Sequence, residues 1–542
     1  MHTAEPTKKT LDLKEVGGHL RSLLSEGRFD EAIEMVMAML SQLQSKNIEL
    51  VLKLMRLERE RSGRKSERMD PNQISLMLER LVGEATEESD LAATEAEQKS
   101  LDAERKALDE PVARQVPRRR RPSKNLPRRV IRHELPIEER RCPCCGEPMG
   151  EIGEDASEIV ELIPAQFLVE EHRRAKYACS RCKETVRTAP GPVKSIEKGL
   201  PGPGLLAHVV VSKYEQHLPL TRLVEIYRRG GLQTSRSTLC GWVKAVAADV
   251  QPIVERISEK ALTSTELQID GSGLRVLDRD DPQGIRRGTM WCSVGDRRYV
   301  VFRYAKDGTG QEGPWRYLEG RQGYVQADAS NVFDRLYNGR KAEATEVGCL
   351  AHARRKYYDL VDSDVRVAYP LKLIGQLYQV EDLADRRRLR LEERLELRQA
   401  RSTPIMDRYH RWLQRMLSRE PPASTLAKAC AYSSNHWEAL TRFLSDGRLP
   451  LDNNLCESQI RSLARGRRNY LFAGSDAGAE RAAILYSLLR TCALHRIDGL
   501  AYLRDVLGKL ASGWLDSRLD ELLPENWSPA PNEPASETSQ LA

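Results

Sequence analysis

Three absences narrow the sequence before any motif is read. The start, MHTAEPTKKTLDLK, has no apolar core, so no secretory signal is expected there. No apolar run is long: stretches such as 205–211 fall far short of the ~20 residues that a membrane-spanning helix needs. Neither sign of charge dominates, with 86 basic residues against 79 acidic ones and a net charge of +7, so the placement of charge matters more than its sum. The 11 cysteines lack the even spacing of a secreted disulfide scaffold, and five of them fall at 142–145 and 179–182. These features together predict a cytoplasmic protein without a membrane segment. A chain of 542 residues is too long for one ordinary domain and predicts three or four.

What is present begins with a leucine-rich seam. Ile33, Val36, Leu40, Leu43, Asn47, Leu50, Leu54 and Leu57 recur at alternating steps of three and four, on a helix predicted from Asp30 to about Glu60. The pattern spans about four heptads with Asn47 at a core position, where a buried amide fixes register, and it predicts self-association through a coiled coil. A second helix opens at Asp70-Pro71 and thins into Glu- and Ala-rich sequence through Leu108, read as a solvated tail. The segment 112–136 follows, with three prolines before Pro136 and almost nothing to bury. Its arginines, Arg118, Arg119, Arg120, Arg121, Arg128 and Arg129, are dense enough to predict phosphate contact.

Two C-x2-C knuckles come next, Cys142 with Cys145 and Cys179 with Cys182, separated by strand-like runs at 158–163 and 167–177. Four thiolates at the ends of a small hairpin suit tetrahedral Zn²⁺ in a closed, structural site. Cys144 is spare. Residues 203–249 then read as three short helices with a turn at Gly230-Gly231. The polar leading end of the last helix carries Arg236, a helix-turn-helix layout suited to DNA.

The period changes at 266. Strands are expected at 266–276, 289–294 and 298–304, with Gly295-Asp296 as a hairpin turn, then at 323–327 and 344–350 with helical sequence between. Three antiparallel strands followed by βα units is the order of a ribonuclease H-like α/β sheet. Asp270 stands in the middle of the first strand, where aspartate is unfavourable, and Asp328 ends the fourth, which that order makes its neighbour. Two facing carboxylates repel unless a divalent cation lies between them.

A third acid arrives in the stretch 449–494. Asp452, Asn453 and Asn454 start a helix with Glu457 in its first turn, followed by Arg465, Arg467 and Arg468 interleaved with Tyr470 and Phe472, and then by a second helix from about Ala477. Asn454-x-x-Glu457 also fits a capping box, in which the acid merely satisfies a backbone N–H. The three acids in this order fit a cradle for two Mg²⁺ (or Mn²⁺) ions, one activating the attacking oxygen and one stabilising the leaving oxygen. The arginines beside them would neutralise phosphate. Residues 363–448, rich in Arg, Leu and Glu, are expected to be a helical insertion, and the tail beyond Trp527 to be disordered.

Several of these stretches resemble the IS66 family of bacterial insertion-sequence transposases: CPCCG, KYACSRC, LLAHVVVSKYEQHLPLTR, GCLAHARRKYYD, LDNNLCE and GRRNYLFAGSDAGAERAA. The resemblance covers nearly the whole chain. It implies a DDE recombinase with a ribonuclease H-like core, catalytic acids at Asp270, Asp328 and Glu457, and a C-x2-H signature at Cys349 and His352. The latter pair is read as core packing rather than a further metal site, since two ligands alone bind zinc poorly. The implied partners are the terminal inverted repeats of a mobile element and target DNA, further copies of the chain through the coiled coil, and accessory proteins of the same element, in a bacterial nucleoid-associated setting. One departure stands out: the family's Asp-Glu-Thr-Pro at the first acid is Asp270-Gly-Ser-Gly here. That keeps open a second reading, a catalytically inactive zinc-containing DNA-binding protein or regulator derived from a transposase.

The expected organisation is therefore multidomain α/β. A leucine-zipper-like helical region (1–111), a basic linker (112–140), a zinc module (141–187) and a helix-turn-helix-like bundle (198–250) precede the core. The core comes in two parts, 262–362 and 449–498, around the helical insertion at 363–448. A C-terminal helix and tail (499–542) close the chain.

Overall fold

The computed structural model describes residues 13–62, 88–108, 130–131, 133, 141, 143–148, 166–178, 186–196, 199–338 and 343–529. The helix predicted to start at Asp70, the arginines Arg118–Arg121, Arg128 and Arg129, the zinc-module residues Cys142, Cys179 and Cys182, and the tail beyond 529 lie outside the described residues. The chain divides into two compact units, one of residues 1–105, 193–220 and 237–542, the other of 106–192 and 221–236.

In the first unit, α1 (Leu13–Ser25) leads through Gly27, held at φ 74°, into α2 (Phe29–Ser62). Ile33, Val36, Leu40, Leu43 and Leu50 of the seam are exposed on α2. The next helix, α3 (Glu88–Leu108), corrects the expectation of a solvated tail. Leu91 and Leu101 are buried in an aromatic cluster with Tyr369, Tyr409 and Trp412. Its acids meet basic partners from far along the chain: Glu97 and Glu104 each lie 2.7 Å from Arg401, and Asp90 lies 2.6 Å from Arg411. The polar composition of α3 thus serves an interface, with two leucines beneath a rim of ion pairs.

In the second unit, β1 (Lys176–Ala178) pairs antiparallel with β2 (Val186–Thr188). Of the strand expected over 167–177 only the last residues lie in β1, and the strand expected over 158–163 lies outside the described residues. The three predicted helices appear as α4 (Pro203–Tyr214), α5 (Leu220–Arg229) and α6 (Arg236–Leu262), with Gly231 at φ 90° in the turn. α4 and nearly all of α6 belong to the first unit, and α5 to the second apart from its first residue. α4 packs on the C-terminal helices of the first unit, α6 runs 27 residues, and 221–236 belongs to the second unit. The apolar surface of α4 is covered, with Leu206, Val209, Val210 and Tyr214 all buried.

The core sheet has five strands: β3 (Glu266–Leu277), β4 (Ile285–Gly295), β5 (Tyr299–Ala305), β6 (Gly323–Gln326) and β7 (Ala344–Val347). Their order is β5-β4-β3-β6-β7. β3, β4 and β5 alternate in direction, while β6 and β7 run parallel to β3. The β4–β5 turn centres on Asp296 and Arg297, at φ 45° and 56°, one residue later than expected. The Asp296 carboxylate accepts from the N–H groups of Thr265 and Glu266, which helps hold a turn that needs two positive φ values. Short helices α7 (Pro314–Leu318) and α8 (Asp334–Asn338) flank β6, and α9 (Leu350–Tyr358) follows β7.

The insertion is helical from 365 to 444: α10 (Ala368–Arg386), α11 (Leu391–Leu397), a π-helical turn at Arg398–Ser402, α12 (Thr403–Arg419), α13 (Thr425–Asn435) and α14 (Trp437–Thr441). Arg398, fully buried, is paired with Glu381 at 2.7 Å and donates to the carbonyls of Phe443 and Asp446. The chain then returns to the sheet with α15 (Asn454–Tyr470), α16 (Asp476–Leu494) and α17 (Gly499–Ala511). α16 seals the outer strand: Ser487 and Thr491 accept from the N–H groups of Phe302 and Val300 on β5, which blunts an edge that would otherwise pair with another strand.

Leu101→Ala should lower the unfolding free energy by about 2–4 kcal/mol in a urea titration, the usual cost of truncating a buried leucine. A solvated tail would leave stability unchanged.

Candidate active site

The parallel pairing of β3 with β6 puts Gln268 opposite Gln326. Extending that register by two residues brings Asp270 level with Asp328 on the same face, since strand side chains alternate with period two. The glutamines confirm the shared face: Gln268 Nε2 donates to Gln326 Oε1 at 3.0 Å, and both are buried. Each glutamine also holds the chain that leads into α15. Gln326 donates to the carbonyls of Gly348 (2.9 Å) and Pro450 (3.0 Å). Gln268 donates to the carbonyl of Asp452 (3.1 Å) and accepts the Cys456 N–H (3.2 Å).

That latch delivers Glu457. The helix begins at Asn454, with Asn453 as its N-cap residue. Asn453 turns its amide away from the helix to the carbonyl of Ile269, 2.8 Å off, and its N–H donates to the Cys349 sulfur at 3.3 Å. The N–H of Asn454 goes to Asp452. No capping box forms here, and the Glu457 side chain is left to face the strands. Its Oε1 lies 3.9 Å from His352 Nε2.

Electrostatics places the three acids in one neighbourhood. Burial pushes the Asp270 carboxyl up to about 6, the charges of Asp328 and Glu457 add to the rise, and the Gly271 N–H, 2.7 Å from Oδ1, opposes it. The insertion walls the site. Burial holds the Tyr432 phenol above its usual range, with the charge of Asp328 contributing, and Tyr378 donates to Asp452 at 2.6 Å. Cys349 is buried, which lifts its thiol to about 12, so it acts as a strut between α9 and the start of α15. His352, read from the sequence as core packing near the site, is part-buried beside Glu457.

The altered residues after Asp270 have a local explanation. Gly271 pairs with Trp291 on β4, and a Cβ at Gly271 would come within 2.6 Å of the indole. The glycine makes room for Trp291 and leaves the position of Asp270 on the strand intact.

Of the arginines singled out by sequence, Arg465 and Arg468 are exposed on α15 and Arg236 opens α6. Arg467, assigned with them to phosphate, is less exposed, and its guanidinium donates to the carbonyl of Gly273 on β3. Gln268, Gln326, Tyr432 and Arg461 were not singled out by sequence. The alternation of Gln268 with Asp270 and of Gln326 with Asp328 was the available signal for two of them. Among the described residues, no three His, Cys, Asp or Glu side chains stand close enough to ligate one ion as they are placed. No described helix is long and apolar enough to cross a membrane.

Known families match most of the chain. The profile of the Transposase IS66 family matches residues 198–481. The zinc-finger binding domain of transposase IS66 matches 139–183, the IS66 C-terminal element 487–524, and a profile described as Transposase C of IS166 homeodomain 49–131. The uncharacterized protein y4hP of Sinorhizobium fredii is 34% identical over 513 residues, covering 89% of each chain. Protein y4qI of the same organism, also uncharacterized, is 33% identical over 502 residues, again covering 89% of each. Among solved structures, the Drosophila P element transposase strand transfer complex aligns with a TM-score of 0.29 and 11% identity, over 54% of this chain and 93% of that one, a likeness too slight to carry an argument.

Two measurements check the site. An acid whose pKa is higher folded than unfolded keeps a proton that the unfolded chain has lost. Asp270 therefore costs stability as pH rises from about 4 to 6, and the penalty is complete above that window. In metal-free protein Asp270→Asn should stabilise by about 2–3 kcal/mol at pH 8, with the gain fading below pH ~4. Gln326→Leu strands two buried carbonyls and should cost about 2–4 kcal/mol in denaturant titration.

Proposed function

This chain belongs to the IS66 transposase family, and on that premise we propose that it cuts DNA at the ends of an insertion sequence and joins the freed 3′-hydroxyls to target DNA. The observation that supports the reading is that the charges of Asp328 and Glu457, from positions up to 187 residues away, both act on Asp270, beside a sheet of order β5-β4-β3-β6-β7, as expected for a ribonuclease H-like core.

The residues fit divalent cations. All three donors are carboxylates, hard oxygen ligands suited to Mg²⁺ or Mn²⁺. The charges of Asp328 and Glu457 both bear on Asp270, yet the three stand too far apart to chelate one ion as they are placed, so an ion would draw them inward. When bound, two such ions would activate the attacking oxygen and stabilise the leaving one. The protein's own part is to hold the acids: Asp270 and Asp328 on paired strands, Glu457 on a helix latched to both by Gln268 and Gln326. His352 steadies the Glu457 carboxylate from α9. Arg465, Arg468 and Arg236, with Arg118–Arg121, Arg128 and Arg129 of the linker, neutralise phosphate. Cys142, Cys145, Cys179 and Cys182 hold a structural Zn²⁺ in the zinc-finger region. The exposed seam of α2 pairs with a second copy of the chain.

Asp328→Asn should abolish Mg²⁺-dependent cleavage and joining of element-end DNA while leaving DNA binding intact. Mg²⁺ should raise the melting temperature of the wild type and not of this variant. Joining by Asp328→Asn at the wild-type rate overturns the assignment and leaves a DNA-binding protein.

A further inference from the structure

α15 carries more than Glu457. Arg461, Arg465 and Arg468 follow it at steps of four, four and three, and all three are exposed. At 100° per residue these positions fall within an arc of about 80°, so one face of the helix runs from the acid along an arginine stripe. None of the three makes a hydrogen bond or ion pair with the described residues, whereas the neighbouring Arg467 is tied to β3. Like charges at these spacings repel along a helix. A stripe of unpaired arginines is therefore a surface that an anion with matching spacing would stabilise. From Glu457 to Arg468 is about 16 Å along the axis, comparable to five nucleotides of one strand at ~3.4 Å each.

The stripe ends on a strained apolar tip. The Phe472 N–H donates to the Tyr470 carbonyl at 2.6 Å, closing a three-residue turn with Leu471 at φ 61°, ψ −42°. This turn is rare and costly for a residue with a Cβ. It presents Leu471, 58% exposed, and Phe472, 37% exposed. The tip is held from both sides. Ala473 exchanges backbone hydrogen bonds with Arg275 and Leu277, on the strand that bears Asp270, and Lys213 sits 4.4 Å above the Tyr470 ring. Rigid apolar side chains beside basic ones suit partial insertion between bases. Two apolar residues alone would suit a protein partner equally well, and the arginine stripe decides for nucleic acid.

We propose that this face of α15 is a track for one DNA strand leaving the acid cluster, with Leu471 and Phe472 wedged between bases where the two strands part. The proposal rests on the reading of the acids as the cutting site and adds Arg461, Leu471 and Phe472 to the substrate-binding surface.

The test uses the full-length protein in Ca²⁺, with a forked duplex carrying 2-aminopurine at the fork and a plain duplex as reference. Wild type should raise the fluorescence of the fork. Leu471→Gly with Phe472→Ala should abolish that rise and weaken fork binding roughly tenfold, with plain-duplex affinity unchanged. Leu471→Gly alone relieves the positive φ, so it should melt no lower than wild type and still reduce the signal, which separates loss of the wedge from loss of folding. Replacing Arg461, Arg465 and Arg468 by Gln should lower the salt dependence of log Kd by about one per residue. Wild-type fluorescence in the tip variants overturns the wedge, and a wild-type salt slope in the arginine variant overturns the track. If instead these variants behave as expected while Asp328→Asn still cuts DNA, the strand track stands and the acid assignment fails.

Discussion

Everything at the candidate site depends on two buried glutamines meeting between parallel strands. Gln268 and Gln326 lie one side-chain repeat below Asp270 and Asp328 and bond to each other. Their remaining donors and acceptor reach Gly348, Pro450, Asp452 and Cys456. Buried amides demand partners, and here the partners are the backbone of the segment that returns from the insertion. A leucine pair would fill the same space without fixing where α15 begins. The glutamines fix it, and Glu457 is one residue beyond the last of those bonds.

The insertion can then be long without loosening the site. Nearly a hundred residues separate α9 from α15, yet both ends are tied where they leave and re-enter the sheet: the Gly348 N–H bonds to Ala439, and the Leu350 N–H to Leu451. The inserted helices have their own aromatic core, with Tyr357, Tyr409 and Ser433 sharing hydroxyl hydrogen bonds at its centre. α3 docks on this body, the same mass that walls Asp328.

Much of this was legible in the sequence. The change of period at 266 revealed the sheet, and β3, β4 and β5 lie within a few residues of their expected places, because alternating burial is a local signal. Asp270 was conspicuous as an acid within an apolar strand. What local pattern could not show was where side chains go once the chain is folded. The sequence around Glu457 fits a cap as well as a site, and it takes the turn of Asn453 toward Ile269 to show that no capping box forms. The Glu-rich α3 looked solvated because its partners, Arg401 and Arg411, lie some three hundred residues away. Arg467 looked like its neighbours Arg465 and Arg468, and its bond to Gly273 depends on how α15 lies against β3. In each case a long-range contact overrode a local composition.

The most direct measurement of the central claim exploits Fe²⁺ in place of Mg²⁺, with peroxide to generate hydroxyl radicals that cut the polypeptide beside the bound ion. Asp270, Asp328 and Glu457 sharing one cation cluster predicts three cuts, at 270, 328 and 457, all suppressed together by excess Mg²⁺. Cuts at the two strands without one at 457, or cuts insensitive to Mg²⁺, would contradict the convergence of the three acids.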